Sequence, residues 1–179
     1  MKNIIGLHGA AETPNSFWWP YLKREAEKLG YQVWIPQLPD ADNPDLSKWL
    51  PAVLKGDKFS EETVLIGHSS GCPLILSMLE KIDTQINKAI LVAGFVTPLP
   101  DGPTKILQKK YNWDKIKNSV KDILFINSDN DPWKCDDKQG RYLYDHLGGT
   151  LIIWHQGHMG SDTFRQPYKE FPFLLKLLP

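Results

Sequence analysis

The sequence is poor in cysteine, has no long hydrophobic run and carries no excess of charge of either sign. Its two cysteines, Cys72 and Cys135, match neither zinc-binding nor redox spacing, and we expect two reduced thiols. No stretch approaches the ~20 apolar residues that span a bilayer, so we expect a cytoplasmic protein without a membrane partner. Basic and acidic residues both total 21, so the formal net charge is zero. This balance favours neither nucleic acid nor an anionic membrane as the main partner.

The chain has 179 residues, of which 41% are hydrophobic, and this length predicts one domain over residues 1–179. Short apolar runs typical of strands buried on both faces alternate with helical patterns. The runs are Asn3–Leu7, Gln32–Ile35, Thr63–Gly67, Lys88–Ala93, Asp122–Asn127 and Thr150–Trp154. The helical patterns are Trp18–Leu29, Leu46–Leu54, Ser70–Ile82, Trp113–Ser119, Asp136–Leu147 and Phe171–Leu178. The alternation predicts an α/β fold with a mostly parallel, six-stranded sheet and helices on both faces.

Local signals refine three of these segments. Asn15 or Ser16 is expected to cap the first helix, and Pro51 weakens the prediction of the second. The longest irregular stretch, residues 97–112, is either a surface connection or a flap over the site. The core face of the first helix is predicted to consist of Trp18, Tyr21, Leu22, Ala26 and Leu29.

The sharpest motif is the segment Gly67–Gly71, which fits G-x-S-x-G. It follows a predicted strand and precedes a predicted helix, as a nucleophile elbow requires. Ser69 is therefore the expected nucleophile, whereas Ser70 would contribute its backbone N–H. The alternatives are a glycine-rich turn capped by Ser69 or a phosphate-binding turn.

A serine hydroxyl needs a base to take its proton. In a parallel sheet, ligands bind beyond the carboxyl ends of the strands, so the base should follow a late strand. Both His155 and His158 follow the last strand, and we favour His158 because it lies farther into the loop. His68 is expected to pack or to form hydrogen bonds, and His146 lies in a predicted helix.

The orienting acid should follow the preceding strand, where Asp129 and Asp131 both lie. We favour Asp131 because Pro132 stiffens its backbone, and because a carboxylate there completes the order serine, aspartate, histidine. Such a carboxylate fixes the tautomer of the histidine and stabilises its charged form. Taken alone, the segment also fits an ordinary Asn/Asp turn.

The loop after the first strand supplies a candidate oxyanion hole. A turn at His8–Ala11 would direct the Ala10 N–H, together with that of Ser70, at a substrate oxygen, and each such donor is typically worth ~10²–10³ in turnover. His8 and Trp133 are candidates to line the substrate pocket. No cluster has metal-ligand spacing and no nucleotide-binding fingerprint occurs, so we expect neither a metal nor a cofactor.

These motifs together resemble the small serine hydrolases typified by the retinoblastoma-binding protein 9 family. The resemblance rests on the H-G loop, the segment FWWPYLKREA, GHSSG, SDNDPW and the late G-H, and covers essentially the whole chain. It implies a compact α/β-hydrolase fold without a large cap, esterase-like activity, and a triad of Ser69, Asp131 and His158. The vertebrate member carries L-x-C-x-E, but this chain reads KFSEET there, so retinoblastoma-protein binding is not expected. The acid turn also departs from the family, because WKC follows its aspartate-proline pair.

The sequence thus predicts hydrolysis of a small-molecule acyl ester through an acyl-enzyme. Two alternatives remain open. The chain could be a protein-interaction module on a hydrolase fold with little or no catalysis, or an acyltransferase to an acceptor other than water.

Overall fold

Strands and helices alternate along the part of the chain that the computed structural model describes, residues 2–56 and 59–179. Lys58, the first residue of the KFSEET segment, lies outside it. The strands are β1 (Asn3–Leu7), β2 (Gln32–Trp34), β3 (Thr63–His68), β4 (Ile86–Val92), β5 (Val120–Ser128) and β6 (Thr150–Trp154). The helices are α1 (Trp19–Lys28), α2 (Leu46–Leu54), α3 (Gly71–Leu79), α4 (Trp113–Asn118), α5 (Asp137–Leu147) and α6 (Pro172–Lys176). None of the described helices has the length and apolar character that crossing a membrane requires.

All neighbouring strands are parallel, in the order β2-β1-β3-β4-β5-β6. Strand crossovers in such sheets are right-handed, so the direction in which the chain crosses the sheet decides which face a helix covers. The chain crosses towards β2 through α1, which therefore lies on one face. It then crosses back towards β6 through α2 to α5, which therefore lie on the other face. The helix contacts agree, since α1 packs against α6 whereas α2, α3, α4 and α5 contact one another in sequence. The predicted α/β fold, with a six-stranded sheet covered on both faces, is confirmed.

The centre of the sheet forms the hydrophobic core. Every residue of β3 is buried, and so is every residue of α3, which packs against it. The edge strand β6 is only partly buried, and its Ile153 is 49% exposed. The direction of the chain reverses between β1 and β3, so the loops after these two strands diverge at one end of the sheet. Such a switch point is where open α/β sheets bind ligands.

Two local predictions for α1 are wrong. Its N-cap position is Trp18, with no side-chain cap, whereas the Ser16 hydroxyl accepts the Thr13 N–H at 3.0 Å within the preceding turn. Leu29 is 59% exposed, because the helix ends at Lys28 and the helical spacing no longer applies to the next residue. Tyr21 is only partly buried, whereas the other three predicted core positions are buried.

Helix α2 forms over the predicted residues despite Pro51. Asp45 caps it by accepting the Ser47 N–H at 2.9 Å, and the helix buries Trp49 and Val53. This packing compensates for the backbone hydrogen bond that proline cannot donate. Residues 97–112 contain neither helix nor strand, as predicted.

Candidate active site

The segment from Gly67 to Gly71 makes a sharp turn between β3 and α3. Ser69 has a φ of 50°, a left-handed conformation that costs an L-residue about 1–2 kcal/mol. The Ser69 N–H donates to the Val92 carbonyl at 2.9 Å. A Cβ on Gly71 would lie 2.0 Å from the Leu7 carbonyl oxygen, so only glycine lets α3 begin this close to β1. The turn therefore presents the Ser69 side chain at the carboxyl end of the sheet, as a nucleophile elbow does.

His158 and Asp131 form a buried hydrogen-bonded pair. His158 Nδ1 donates to Asp131 Oδ2 at 2.8 Å, and the two side chains are 6% and 0% exposed. Asp131 Oδ1 accepts the Trp133 backbone N–H at 2.8 Å. Because a carboxylate only accepts, the neutral ring carries its proton on Nδ1 and leaves Nε2 free. Among the described residues no hydrogen bond joins Ser69 Oγ to His158, although both line one cavity; such contacts are often long before substrate binds.

The alternative acid and base, Asp129 and His155, pair with each other at the protein surface. His155 Nδ1 and Asp129 Oδ1 lie 2.6 Å apart, and these side chains are 77% and 53% exposed. The structure thus joins Asp131 to His158 and leaves the other pair in solvent. His146 lies on α5, where its Nδ1 donates to the Tyr142 carbonyl at 2.8 Å.

The loop that carries His158 is held by backbone and amide contacts. The His158 N–H donates to Gln166 Oε1, and the Gly157 N–H donates to Asn130 Oδ1, both at 2.8 Å. Gly157 has a φ of +60°, and a Cβ there would lie 2.0 Å from Gln166 Nε2. These contacts fix the imidazole at the edge of the site.

The loop after β1 packs directly against the turn that carries Ser69. A Cβ on Gly9 would lie 3.0 Å from the Ser69 Cβ. Within residues 2–56 and 59–179, neither the Ala10 N–H nor the Ser70 N–H donates to a protein acceptor. The loop after β1 and the turn that carries Ser69 thus each present a backbone donor, and the N-terminus of α3 adds partial positive charge there.

Two other polar groups border the site. The Ser70 hydroxyl is buried and has no hydrogen-bond partner among the described residues. Burial raises the pKa of the Cys135 thiol well above its ordinary value, and the Asp131 charge adds to this rise, so the thiol stays protonated at neutral pH.

Cys135, Asp131 and His158 could together offer ligands to a metal, since one ligand atom of each lies within 4.8 Å of the others. A zinc ion bonded at about 2.0–2.3 Å would have to displace the proton that Asp131 and His158 share. The group therefore fits a hydrogen-bonded pair better than a metal centre.

A cavity of about 580 Å³ is lined by Ser69, Ser70 and His158, a size within the ~300–1,000 Å³ range of small-molecule sites. Trp133 lines it, and its Nε1 donates to Ser161 Oγ at 3.3 Å. The irregular segment 97–112 also contributes to the wall. Further lining residues include Phe17, Phe95, Leu99, Asp101, Lys105 and Asp162.

His8 does not line this cavity, so its predicted place in the pocket is wrong. Its side chain is fully buried and lies edge-on to Trp49. His8 Nδ1 donates to the Gly9 carbonyl at 2.9 Å, and Nε2 accepts the Leu38 N–H at 3.1 Å. Burial lowers the pKa of His8, which favours this neutral form. The ring turns inward because both of its nitrogens find backbone partners there.

A second buried acid–histidine pair lies behind His158. Glu12 Oε1 and His68 Nδ1 are 2.7 Å apart, and His68 Nε2 lies 2.9 Å from the His158 carbonyl oxygen. Trp19 Nε1 donates to the other Glu12 oxygen at 3.3 Å. Sequence reasoning expected a hydrogen-bonding role for His68 but did not identify Glu12. The only available signal was an acidic residue in the loop after β1.

Known proteins resemble this chain over nearly its whole length. The profile of the family described as serine hydrolase matches residues 4–178. YdeN of Bacillus subtilis (strain 168), which is named as a hydrolase, is 33% identical over 170 residues, covering 90% of this chain and 87% of YdeN. Serine hydrolase RBBP9 of Rattus norvegicus is 28% identical over 168 residues, covering 91% of this chain and 89% of RBBP9. The crystal structure of the ydeN gene product from B. subtilis has a TM-score of 0.89 at 27% identity and covers 99% of this chain and 97% of that chain.

Proposed function

Because this chain belongs to the serine hydrolase family, we propose that it hydrolyses a small acyl ester through a covalent acyl-enzyme. Ser69 is the nucleophile, His158 the general base and Asp131 the acid that orients the base. The observation that carries the proposal is the buried His158–Asp131 hydrogen bond of 2.8 Å, at the wall of the cavity that Ser69 lines. No step of this chemistry requires a cofactor.

The first half-reaction forms the acyl-enzyme. Ser69 Oγ attacks the ester carbonyl carbon while His158 Nε2 takes the hydroxyl proton. The negative charge that develops on the carbonyl oxygen is stabilised by the backbone N–H groups of Ala10 and Ser70. The tetrahedral intermediate then collapses, the ester C–O bond breaks, and the imidazolium gives its proton to the departing alcohol. Asp131 stabilises the imidazolium without taking a proton.

The second half-reaction releases the acid. A water molecule gives a proton to His158 Nε2 and attacks the acyl carbon through the same oxyanion geometry. Ser69 Oγ leaves and recovers its proton from His158. The balance is one ester and one water consumed, and one carboxylic acid and one alcohol formed.

The cavity supports a small substrate with an apolar acyl group. Its 580 Å³ volume and its lining by Phe17, Phe95, Leu99 and Trp133 fit such a group better than a long polar chain.

The test is covalent labelling with a fluorophosphonate probe at neutral pH, combined with turnover of p-nitrophenyl acetate, butyrate and octanoate. We expect the unmodified protein to be labelled and to hydrolyse the shorter esters. Ser69→Ala should abolish both labelling and turnover. The matched control is Ser70→Ala, which keeps the backbone donor and should still be labelled.

Absence of label on the folded, unmodified protein would overturn the proposal and favour an interaction module instead. Product analysis with added alcohols or amines separates hydrolysis from acyl transfer, since only a transferase would form the new ester or amide in preference to the free acid.

A further inference from the structure

The pair of Glu12 and His68 links the three loops that carry the proposed oxyanion donor, nucleophile and base. Glu12 lies in the loop after β1, His68 directly precedes Ser69, and the His68 ring reaches the backbone of His158. We propose that this buried carboxylate–imidazolium pair holds the three loops in register, so that Glu12 and His68 are positioning residues for the hydrolysis. The inference rests on the proposed function.

With Glu12 ionised, the hydrogen bonds require His68 to carry a positive charge. Its Nδ1 lies 2.7 Å from a Glu12 carboxylate oxygen and its Nε2 lies 2.9 Å from the His158 carbonyl oxygen. An ionised carboxylate and a carbonyl can only accept, so both ring nitrogens must carry protons. The His68 and Glu12 side chains are 0% and 6% exposed; Glu12 borders the cavity, but the pair is otherwise enclosed by protein.

The electrostatic environment favours the same protonation states. Burial opposes charge on both groups. Nevertheless, the His68 charge, its hydrogen bond and the Gly9 N–H hold the pKa of Glu12 below its ordinary value. The Glu12 charge, its hydrogen bond and the His158 carbonyl raise the pKa of His68 above its ordinary value.

The pair packs against the loop after β1 and against the ring of His158. On one side, a Cβ on Gly9 would lie 2.4 Å from Glu12 Oε1 and 3.0 Å from the Ser69 Cβ. The loop after β1 is therefore held between the Glu12 carboxylate and Ser69. On the other side, the ring centroids of His68 and His158 are 4.9 Å apart. A shift of either member would therefore move the proposed donor, nucleophile and base relative to one another.

Stability alone is a weak reason for such a pair, because the cost of desolvating two charges commonly offsets their attraction. Asp129 and His155 provide a matched comparison within the same molecule. Asp129 and His155 join the loops after β5 and β6, with their side-chain atoms 2.6 Å apart, but these side chains are 53% and 77% exposed. It should therefore have no effect on turnover.

The kinetic test compares Glu12→Ala, Glu12→Gln and the control Asp129→Ala on p-nitrophenyl butyrate. Glu12→Ala should lower kcat by about 10–100-fold, because small misplacements of reacting groups cost up to about 10²-fold, and should change KM by less than about 3-fold. Glu12→Gln should lose less. Its amide can donate to Nδ1 of a neutral His68, whose Nε2–H still reaches the His158 carbonyl. Asp129→Ala should keep kcat within about 2-fold of the unmodified protein.

The spectroscopic test is ¹⁵N NMR of the histidine rings at pH 7.0. The titratable groups that face His68 are Glu12, His8, His158 and Asp131. We expect one buried imidazole with both nitrogens protonated in the unmodified protein, and loss of that signal in Glu12→Gln. A purely steric role for the pair would not predict this change.

The outcomes separate this inference from the proposed function. An unmodified protein that fluorophosphonate does not label refutes the hydrolase mechanism itself. A labelled protein whose Glu12→Ala variant keeps full kcat overturns the positioning role alone. If Glu12→Ala does not fold, Glu12→Gln and the NMR spectrum decide. A neutral His68 in the unmodified protein, or an unchanged ring signal in the variant, overturns the inference.

Discussion

Substituting Asp131 by asparagine should nearly abolish turnover without unfolding the protein. Asp131 Oδ1 accepts the Trp133 N–H and Oδ2 accepts His158 Nδ1–H, both at 2.8 Å. In Asp131→Asn the amide oxygen would keep the first bond, so the NH₂ group would face the imidazole. His158 Nδ1 would then become an acceptor, and the ring proton would move to Nε2. A base with a proton on Nε2 cannot take the proton of Ser69.

The expected loss in kcat/KM is about 10⁴-fold, the size of the effect of a wrong histidine tautomer in a serine triad. This corresponds to about 5.4 kcal/mol of transition-state stabilisation. The assay is hydrolysis of p-nitrophenyl butyrate at pH 7, with circular dichroism to verify folding. Asp129→Asn is the matched control, since its partner His155 is exposed, and it should keep full activity. A folded Asp131→Asn protein that retains more than a tenth of the original kcat/KM would refute the tautomer argument.

Three further outcomes follow from the packing and charges. Ser70→Ala should leave the melting temperature unchanged or raise it, because the buried hydroxyl has no partner within the described ranges 2–56 and 59–179 and deleting it removes a desolvation cost of about 1–3 kcal/mol. Gly71→Ala should lower the free energy of unfolding in urea by about 3 kcal/mol, the upper end for overpacking, because its Cβ would meet the Leu7 carbonyl oxygen at 2.0 Å. The unmodified protein should be more stable than Glu12→Gln when both are unfolded in urea from pH 4 to pH 9. The difference in the free energy of unfolding should be greatest between the ordinary pKa values of 4.5 for Glu12 and 6.5 for His68. It should shrink as pH rises through the raised pKa of His68 or falls through the lowered pKa of Glu12.

The sheet could be predicted because burial on both faces leaves a continuous apolar run for each strand. β1 and β6 have the predicted ends, whereas β4 begins at Ile86 instead of Lys88 and β5 at Val120 instead of Asp122. The first residues of these strands, Ile86 and Val120, are buried, but each is followed by a polar residue, Asn87 or Lys121, that is at least partly accessible. The polar residue interrupts the apolar run, so hydrophobicity underestimates these strands at their beginnings.

The hydrogen bond between Asp131 and His158, and the place of Ser69 and His158 on the wall of one cavity, could be expected because parallel strands bring their carboxyl ends to one edge. The Glu12–His68 pair could not, since its members lie 56 positions apart and their contact depends on how two loops pack. The inward orientation of the His8 side chain could not be predicted either. Its partners are backbone groups of Gly9 and Leu38, and nearly every residue type has such backbone groups, so the sequence does not indicate them.

The wall of the cavity has an engineering consequence. Leu99 and residues 101–105 border the cavity but belong to a segment outside the helices and strands of the described chain. Loops of this kind accept exchange far more readily than buried strands do. None of residues 101–105 is buried, whereas Ile106 and Tyr111 of the same segment belong to the core. Exchanging residues 101–105 alone should therefore alter which molecules fit the cavity, while the core contacts, the turn at Ser69 and the loop at His158 stay in place.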